Sequence, residues 1–426
     1  MSNTSIDMDI CISSSVAARD SGLPGVSLRH ITPEDAGRDR CKEVVFFFAG
    51  CMLHRSDGCH TRALEVLDFL VSEDFKITVY SFVDHAQWPW TTKMMAEFRT
   101  AYPNVTLVCE PLTWAHKTWT SAKNFLVRFV PFVPSWAIGM PLPLVAPCWK
   151  ALYKRRDELV FWVNYADGVT QLNGIGRERV FIDTHDLLFV ARSQQKGWTP
   201  RSVAGLRFLR KELALLARAK RIFTINPAEQ VFFSTMLGTE VEVTYLPPRL
   251  NIVPVVPPRA LYSYADDLLF LGSDNAKNIR CLNTFLEEFL LWESQLCLVI
   301  AGRVSEHVKE AFRSNPRIKI VGYVSDLPAL YRSVKAVICP VVGTGVNMKI
   351  IEAINHCKPV FASEGARAAL SPEVRARSFP LTESVVTEVL TDPQRLRDSC
   401  SSVGELGTDS ENNQIWKTLA HSLHSL

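Results

Sequence analysis

The chain has 426 residues, with 47 Lys and Arg against 44 Asp and Glu, so its formal net charge is +3. Hydrophobic residues make up 47% and charged residues 21% of the chain, which is ordinary for a globular protein and excludes wholesale disorder, a collagen-like repeat and a coiled-coil rod. The small net charge does not indicate a nucleic-acid-binding protein, so we expect no nucleic acid among its partners. The length suggests two or three domains.

Cysteine usage and the chain start indicate the compartment. The 11 cysteines are irregularly spaced and form no Cys-x-x-Cys pair, which favours free thiols in a reducing environment. Residues 1–41 show no apolar period and no signal-peptide pattern, so we expect a leader without fixed structure. The uncharged stretch 129–149 contains five prolines, which disfavours a membrane-spanning helix, although its length would permit one. The prediction is a cytoplasmic protein.

A first α/β domain is predicted over 42–256. The apolar run 44–48 reads as a buried strand, 61–71 has the spacing of an amphipathic helix, and 76–82 reads as the next strand. Strand, loop, helix and strand in this order predict a parallel sheet. The same rhythm predicts further strands at 105–108, 160–164, 179–183 and 221–225, and a helix at 206–219.

A second α/β domain is predicted over 257–395. Five of the twelve residues 247–258 are proline, which marks the boundary between the domains. We expect a C-terminal tail with a helix over 396–426. The two Rossmann-like halves should face each other across a cleft, with ligands at the carboxyl ends of the strands. The strands predicted in the second half are 268–271, 296–301, 318–321, 336–340 and 359–362, with helices notably at 281–292 and 305–313.

The most informative motif follows the predicted strand 336–340. Gly343 and Gly345 allow a tight turn and a close approach of a ligand to the backbone. A helix should then begin near Asn347, where its N-terminus favours an anion such as phosphate. Lys349 and Glu352 share one face of that helix, so one could meet phosphate oxygens and the other sugar hydroxyls. A glycine turn followed by an ordinary surface Lys–Glu pair is the alternative interpretation.

A second cluster ends the strand predicted at 179–183. Asp183 or Asp186 could fix the tautomer of His185, whose imidazole could then hydrogen-bond a reacting hydroxyl. In the alternative, Asp186 caps the following helix and His185 is structural. A metal site has too few local ligands here.

Glycine loops and cations follow other predicted strands. The loop 49–62 closes on a helix near residue 61, and Gly58 would let a substrate approach the helix start. A zinc site of Cys51, His54, Cys59 and His60 is disfavoured by its spacing. No Gly-x-Gly-x-x-Gly follows the first strand, which counts against a dinucleotide-dependent dehydrogenase. Lys277 and Arg303 stand after two strands of the second half, where they could reach a diphosphate or remain solvated surface cations.

Over residues 42–395 the chain resembles the GT-B glycosyltransferases, in particular the retaining, family-4-like group. The resemblance is strongest in Gly343-Thr344-Gly345-Val346-Asn347-Met348-Lys349-Ile350-Ile351-Glu352-Ala353 followed by Lys358-Pro359-Val360. It implies that Glu352 holds the ribose of a nucleotide sugar, while Lys349 and the backbone N–H groups of Val346 and Asn347 face the diphosphate.

The resemblance also implies roles for the other motifs. Arg303 and Lys277 would neutralise the leaving diphosphate, and Asp183, His185 and Asp186 would form the catalytic signature beside the transferred sugar. The loop 55–62, with Gly58, His60 and Arg62, would form the sugar-side or acceptor-side loop. Eight positions before Glu352, where a Glu is common in the family, this chain carries Thr344. This departure affects which sugar hydroxyls the protein recognises.

The activity implied is that of a hexosyltransferase-like glycosyltransferase. It would move a sugar from a nucleotide diphosphate sugar to an acceptor hydroxyl, with retention of configuration, and without a metal ion or cofactor. A glycan or lipid-linked acceptor is expected, with peripheral membrane contact through 129–156, where apolar residues precede a cationic cluster. A nucleotide-sugar epimerase and a non-catalytic nucleotide-sugar-binding protein remain as alternatives.

Overall fold

A computed structural model describes residues 43–54, 57–112, 118, 122, 147–172, 174–252, 266–343, 345–404, 406 and 411–424. The leader 1–41, most of the segment 129–156 and the prolines 254, 257 and 258 of the predicted boundary lie outside these residues. The described part contains two parallel sheets, each flanked by helices, so the predicted pair of Rossmann-like domains is confirmed.

The first sheet has seven parallel strands in the order β3-β2-β1-β4-β5-β6-β7. Its strands are β1 (Glu43–Phe47), β2 (Lys76–Phe82), β3 (Thr106–Glu110), β4 (Val160–Asn164), β5 (Val180–Asp183), β6 (Arg221–Thr224) and β7 (Glu242–Tyr245). Its helices are α1 (Gly58–Ser72), α2 (Thr92–Ala101), α3 (Pro147–Lys154), α4 (Leu188–Gln195), α5 (Val203–Leu216) and α6 (Pro227–Leu237). The order reverses between β1 and β4, which places a topological switch point at the centre of the sheet.

The second sheet has six parallel strands in the order β10-β9-β8-β11-β12-β13, with its switch point between β8 and β11. Its strands are β8 (Asp266–Leu271), β9 (Leu298–Ala301), β10 (Ile318–Gly322), β11 (Val334–Cys339), β12 (Val360–Ala362) and β13 (Ser378–Pro380). The helices are α7 (Ala276–Phe289), α8 (Glu310–Arg313), α9 (Leu327–Ser333), α10 (Met348–Asn355), α11 (Glu364–Ala368), α12 (Pro372–Ala376), α13 (Glu383–Thr391), α14 (Pro393–Gly404) and α15 (Glu411–His424).

Apolar strands explain the sheets. All five residues of β4 are buried, as are all four of β5, because helices cover both faces of a parallel sheet. The helix predicted over 305–313 is confirmed only in its last turn, α8. Residues 303–307 form a 3-10 turn instead, and the Asn283 side chain accepts a bond from Lys309 N and donates one to His307 O, which separates this turn from α8.

The C-terminal helix α15 returns to the first domain. Trp416 is buried against Phe69, with ring centroids 4.8 Å apart, and its indole N–H donates to the carbonyl of Pro247 at 2.8 Å. Leu419 and Leu423 join the same core. The chain therefore returns from the second domain to pack α15 on the first, an arrangement that composition alone did not reveal. In the described residues, none of the helices combines the length and apolar character that a membrane span requires.

Candidate active site

His185 lies just beyond β5, and its tautomer follows from its neighbours. The Asn164 amide N–H donates to the carbonyl of Phe47 at 2.9 Å, and a carbonyl can only accept. The Asn164 oxygen therefore faces His185 Nε2, 2.9 Å away, and this nitrogen must carry the proton. Nδ1 is then left as a buried acceptor that has no hydrogen-bond partner in the described part of the chain.

The charge of His185 is set by burial. Burial lowers the pKa of His185 to about 4, although the Asp183 carboxylate nearby favours the protonated ring. The imidazole is therefore neutral near pH 7, and its Nδ1 keeps its lone pair. Such a nitrogen can accept a hydrogen bond from a hydroxyl group, which is the chemistry that the sequence predicted for this residue.

The backbone around His185 is strained. His185 has a φ of +62° and Tyr165 a φ of +67°, values that are uncommon for residues with side chains. The two rings stack with centroids 4.3 Å apart and an angle of 16° between planes. Tyr165 N donates to the Asp183 carbonyl at 2.8 Å, which joins the ends of β4 and β5. Strain of this kind clusters at functional sites, where the surrounding structure enforces one geometry.

Asp183 and Arg62 form a support beneath His185. Arg62 is fully buried, and its Nε donates to Asp183 Oδ2 at 2.8 Å. Its other N–H groups donate to Glu65 at 2.9 Å and to the carbonyls of Leu246 and Pro247 at 2.9 and 3.3 Å. The structure thus assigns Arg62 to the interior, where it holds Asp183, instead of to a sugar-contacting loop. Asp183, also fully buried, acts through its neighbours in the same way.

Asp186 lies at the junction of the two domains. Burial raises the pKa of the Asp186 carboxyl to about 6, while the charge of Lys277 on the second domain acts in the opposite direction. One carboxyl oxygen is buried and has no hydrogen-bond partner among the described residues. Asp186 does not begin a helix directly, since the cap position of α4 is Leu187, so the capping alternative is wrong.

The loop before α1 brings His60 under the site. The helix begins at Gly58, three residues before the predicted start, and its cap is Asp57. His60 is fully buried, its Nδ1 accepts from Asp57 N–H at 3.3 Å, and its ring meets Trp88 edge to face at 4.6 Å. Burial lowers the pKa of His60 to about 4.

The zinc alternative has no support in the described ranges, where no three His, Cys, Asp or Glu side chains gather as metal ligands. Arg55 and Ser56 of the same loop lie outside the described residues. The nine cysteines that the structure describes are free thiols.

In the second domain, α10 follows β11 as the sequence predicted. Asn347 caps the helix, with its side-chain oxygen accepting from Lys349 N at 3.2 Å and its amide donating to Cys339 Sγ at 3.0 Å. Val346 is buried beside it. Burial lowers the pKa of the Lys349 ammonium to about 8, and its Nζ lies 5.7 Å from the centroid of the Phe270 ring.

Glu352 lies one turn further along α10. Burial and the neighbouring Glu352 carboxylate raise the pKa of the Tyr331 hydroxyl well above its usual value, which places Glu352 beside this ring. Thr344 lies outside the described residues.

Three cations thus gather at one edge of the second sheet. Lys277 follows β8, Arg303 follows β9 and Lys349 follows β11, and these strands are neighbours in the sheet. The Lys277 side chain runs over Gly343, where a Cβ atom would collide with its ammonium group. Arg303 is about half exposed, with its Nε 3.8 Å from an Asp274 carboxylate oxygen. Cations on adjacent strands can address one multiply charged anion.

The two halves of the site meet directly. Asp57 accepts hydrogen bonds from Ser273 Oγ at 3.2 Å and Asn275 Nδ2 at 3.3 Å across the domain boundary. A Cβ atom on Gly345 would lie 2.8 Å from the carbonyl oxygen of His185, so only glycine fits there without movement. The carboxyl edges of both sheets therefore face each other around His185 and Lys349.

Comparison with known proteins identifies the second domain. Residues 265–391 match the family described as glycosyl transferases group 1. Residues 265–391 form a group 1 glycosyltransferase domain. This domain contains the three cations, the glycine loop and α10, so the resemblance to group 1 glycosyltransferases is confirmed where its motifs are most specific. No curated protein matches the chain.

Solved structures extend the comparison to the whole chain. Sucrose-phosphate synthase from Thermosynechococcus elongatus has 16% identity and a TM-score of 0.61, and the match covers 90% of this chain and 98% of that one. HepE from Anabaena, in complex with UDP, has 14% identity and a TM-score of 0.58, with 90% and 100% covered. TarM from S. aureus, in a complex that includes UDP, has 8% identity and a TM-score of 0.58, with 90% and 100% covered. The chain has the predicted GT-B fold.

Several functional residues are absent from the sequence-based predictions. Asn164 and Tyr165 define the His185 ring, and Asp57 and Ser273 join the domains. The position of Asn164 at the end of the predicted strand 160–164 was the available signal, but its significance depends on β4 lying next to β1. This neighbour relation is a property of the sheet order and not of local sequence.

The described end of the segment 129–156 does not present an apolar face. Trp149 is buried in α3 and packs on Tyr80, with ring centroids 4.9 Å apart, so its predicted contribution to a membrane surface is wrong. Arg155 is paired with Glu43 at 2.8 Å. The remainder of the predicted contact, 129–146, lies outside the described residues.

Proposed function

We propose that the protein is a glycosyltransferase that takes a sugar from a UDP sugar and transfers it to an acceptor hydroxyl. One observation carries the proposal: three cations of the group 1 domain face a neutral His185 whose Nδ1 is a buried acceptor without a partner in the described chain. HepE and TarM, which share the fold, were solved in complex with UDP, and this supports uridine as the nucleoside of the donor.

The donor would lie against the second domain. Its diphosphate meets the N-terminus of α10, where the dipole and N–H groups favour an anion, and the ammonium groups of Lys349 and Lys277. Arg303 adds a planar donor group at the neighbouring strand. Glu352 accepts hydrogen bonds from the ribose hydroxyls. As the glycosidic bond breaks, charge develops on the diphosphate, and these groups stabilise it where it forms.

The transferred sugar would lie against the first domain. His185 Nδ1 accepts a hydrogen bond from a sugar hydroxyl, and Asn164 and Tyr165 hold the ring in place for this contact. Asp186 lies between the two domains, where its carboxylate accepts from a second hydroxyl. Cations and a helix N-terminus supply the charge stabilisation, so the reaction needs no metal ion or cofactor. Retention of configuration is carried over from the family resemblance.

The acceptor would be a hydroxyl of a glycan or of a lipid-linked sugar. The cross-domain contacts of Asp57 and Gly345 bring the carboxyl edges together, and a closed site excludes water that would otherwise hydrolyse the donor. A cytoplasmic location fits the free thiols and the nucleotide sugar.

The test is a thermal-shift and transfer panel. UDP, GDP, ADP and their glucose conjugates are compared for stabilisation of the purified protein, with and without magnesium, because a ligand of the folded state raises its melting temperature. We expect UDP to stabilise the wild type and Lys319→Ala, an exposed lysine of β10, but not Lys349→Ala. Absence of a shift with every nucleotide would overturn the donor site.

The reaction itself is separated from its alternatives by product analysis. Incubation with radiolabelled UDP sugar and candidate acceptors should give a labelled acceptor and free UDP. An isomerised UDP sugar without transfer would identify an epimerase. Stabilisation by UDP sugars that His185→Ala leaves unchanged, with no product under any condition, would identify a binding protein.

A further inference from the structure

A long basic stretch follows the site in the first domain. The 25 residues 187–211 contain six Arg and Lys and no Asp or Glu, in a chain whose acids and bases are otherwise nearly balanced. Two of the six, Arg192 and Lys211, point inward and pair with Asp167. The other four, Lys196, Arg201, Arg207 and Arg210, are partly or fully exposed. Positive charge is therefore concentrated on the surface formed by these four residues.

Apolar side chains lie among these cations. Val203 is 69% exposed and Leu206 is 53% exposed. With Arg207 and Arg210 they occupy positions i, i+3, i+4 and i+7 of α5, so all four share one helix face. The opposite face, which includes Glu212 and Leu216, is buried in the domain. An outward face that mixes apolar and cationic groups differs from the polar outward face of an ordinary surface helix.

The preceding loop extends this face and is held firmly to α5. Trp198 stacks on Phe208 with centroids 6.0 Å apart, and the Lys196 ammonium lies 5.8 Å from the Trp198 ring centroid. Ser202 caps α5 by accepting from Gly205 N at 3.1 Å. We call the surface made of Lys196, Trp198, Arg201, Val203, Leu206, Arg207 and Arg210 the basic apolar face.

We propose that the basic apolar face docks on the surface of an anionic lipid bilayer. The apolar residues of α5 and the indole ring of the preceding loop enter the interface, while the cations meet lipid phosphates and carboxylates. This combination favours a bilayer over a folded acidic protein, because Val203 and Leu206 are 69% and 53% exposed among the cations. The residues of this face lie outside the segment 129–156 of the sequence and are not among the donor-site residues.

Docking would place the site close to the bilayer. Helix α4 begins two residues after Asp186, and Glu212 of α5 accepts from the backbone N–H groups of Leu188 and Phe189 at 3.0 and 2.8 Å. The basic apolar face and the Asp186 loop thus belong to one rigid unit. A hydroxyl held at the membrane surface, such as that of a lipid-linked sugar, would then approach the site from the side of the first domain.

Co-sedimentation of the full-length protein with vesicles tests the proposal. Vesicles of phosphatidylcholine with 30% phosphatidylserine, by design roughly the anionic content that recruits polybasic segments, are compared with pure phosphatidylcholine at low and high salt. We expect binding only to the anionic vesicles, reduced by salt because surface charges are screened. Equal binding to both vesicle types, or no binding to either, would overturn the proposal.

Matched variants assign the binding to this face. Val203→Asp/Leu206→Asp and Arg201→Glu/Arg210→Glu should each lower vesicle binding by roughly tenfold or more. Leu291→Asp is the control, since Leu291 is 81% exposed but lies between Glu288 and Glu293 on the second domain. Thermal shifts with UDP in the absence of vesicles confirm that each variant is folded and that the donor site is separate. Undiminished binding by both double variants would show that another surface carries it.

Discussion

The two domains share one architecture and differ in the charge at the edge where they meet. In both, the first strand of the domain is central and the order reverses beside it, so the loops of neighbouring strands converge at a switch point. The second domain places Lys277, Arg303 and Lys349 there. The first domain places two buried, neutral imidazoles there, His60 and His185. The same scaffold thus presents fixed positive charge at the edge of one domain and neutral imidazoles at the edge of the other.

This difference in charge suits two domains of the same topology to different parts of a group-transfer substrate. A diphosphate needs fixed positive charge, which cations and a helix N-terminus supply. A neutral sugar needs oriented hydrogen-bond acceptors, which a charged imidazolium could not offer. Burial provides the second condition, because it removes the proton from His185 at physiological pH.

The largest expected effect concerns the buried support beneath His185. Arg62→Met leaves Asp183 buried without its partner and removes the bonds to the Leu246 and Pro247 carbonyls. We expect the free energy of unfolding to fall by about 3–5 kcal/mol, measured by urea denaturation. The control is Arg155→Met, which breaks a partly exposed pair with Glu43 and should cost about 0–1 kcal/mol. If both variants lose a similar free energy of unfolding, the Arg62–Asp183 pair contributes no more than a surface ion pair.

The next effect separates the two chemistries. Lys349→Ala should lower turnover by about 10²–10³-fold, because one group that stabilises the developing charge is lost, and should weaken UDP binding as well. His185→Ala should lower turnover while leaving the dissociation constant of UDP nearly unchanged. Calorimetry with UDP and initial transfer rates provide both readouts. If His185→Ala loses UDP binding, the second domain alone does not bind the base and diphosphate of the donor.

Much of this fold could be predicted from the sequence. The strands at 76–82 and 160–164 were predicted with their observed ends, because parallel strands covered on both faces read as continuous apolar runs. The loop from Gly343 to Lys349 was also predicted, since glycine, cap and lysine follow one another locally. The short edge strands β7 and β13 were missed, and their partial exposure gives them weaker apolar runs.

Other parts depend on contacts that no local pattern contains. Arg62 looked like a loop cation, but apart from the nearby Glu65 its partners are Asp183, 121 residues away, and two carbonyls 184 and 185 residues away in the chain. The C-terminal helix looked like part of a tail, and its apolar face has meaning only against Phe69 and Leu246 of the first domain. Sequence reasoning identified candidate residues at the strand ends more readily than the residues that hold those candidates in place.

A smaller effect tests whether His185 of the first domain must be neutral. In Asn164→Asp a carboxylate replaces the amide beside Nε2, which should raise the pKa of His185 toward neutrality and protonate Nδ1 as pH falls. We expect transfer by this variant to drop by roughly tenfold between pH 8 and pH 6, relative to the wild type over the same range. Asn164→Ser, which adds no charge, is the control. Parallel pH profiles for wild type and Asn164→Asp would show that Asn164 does not control His185.

The smallest effect tests the charged side of the comparison by titration. Burial lowers the pKa of Lys349 to about 8, so its ammonium is charged below this pH and becomes neutral as pH rises through it. The affinity for UDP should therefore fall by about tenfold between pH 7 and pH 9, as for one cation that must be protonated to bind the diphosphate. In Lys349→Arg the guanidinium stays charged throughout this range, so its affinity should be flat. If the wild type and Lys349→Arg show the same dependence on pH, the loss of affinity comes from another group, and Lys349 does not contact the diphosphate as a titrating cation.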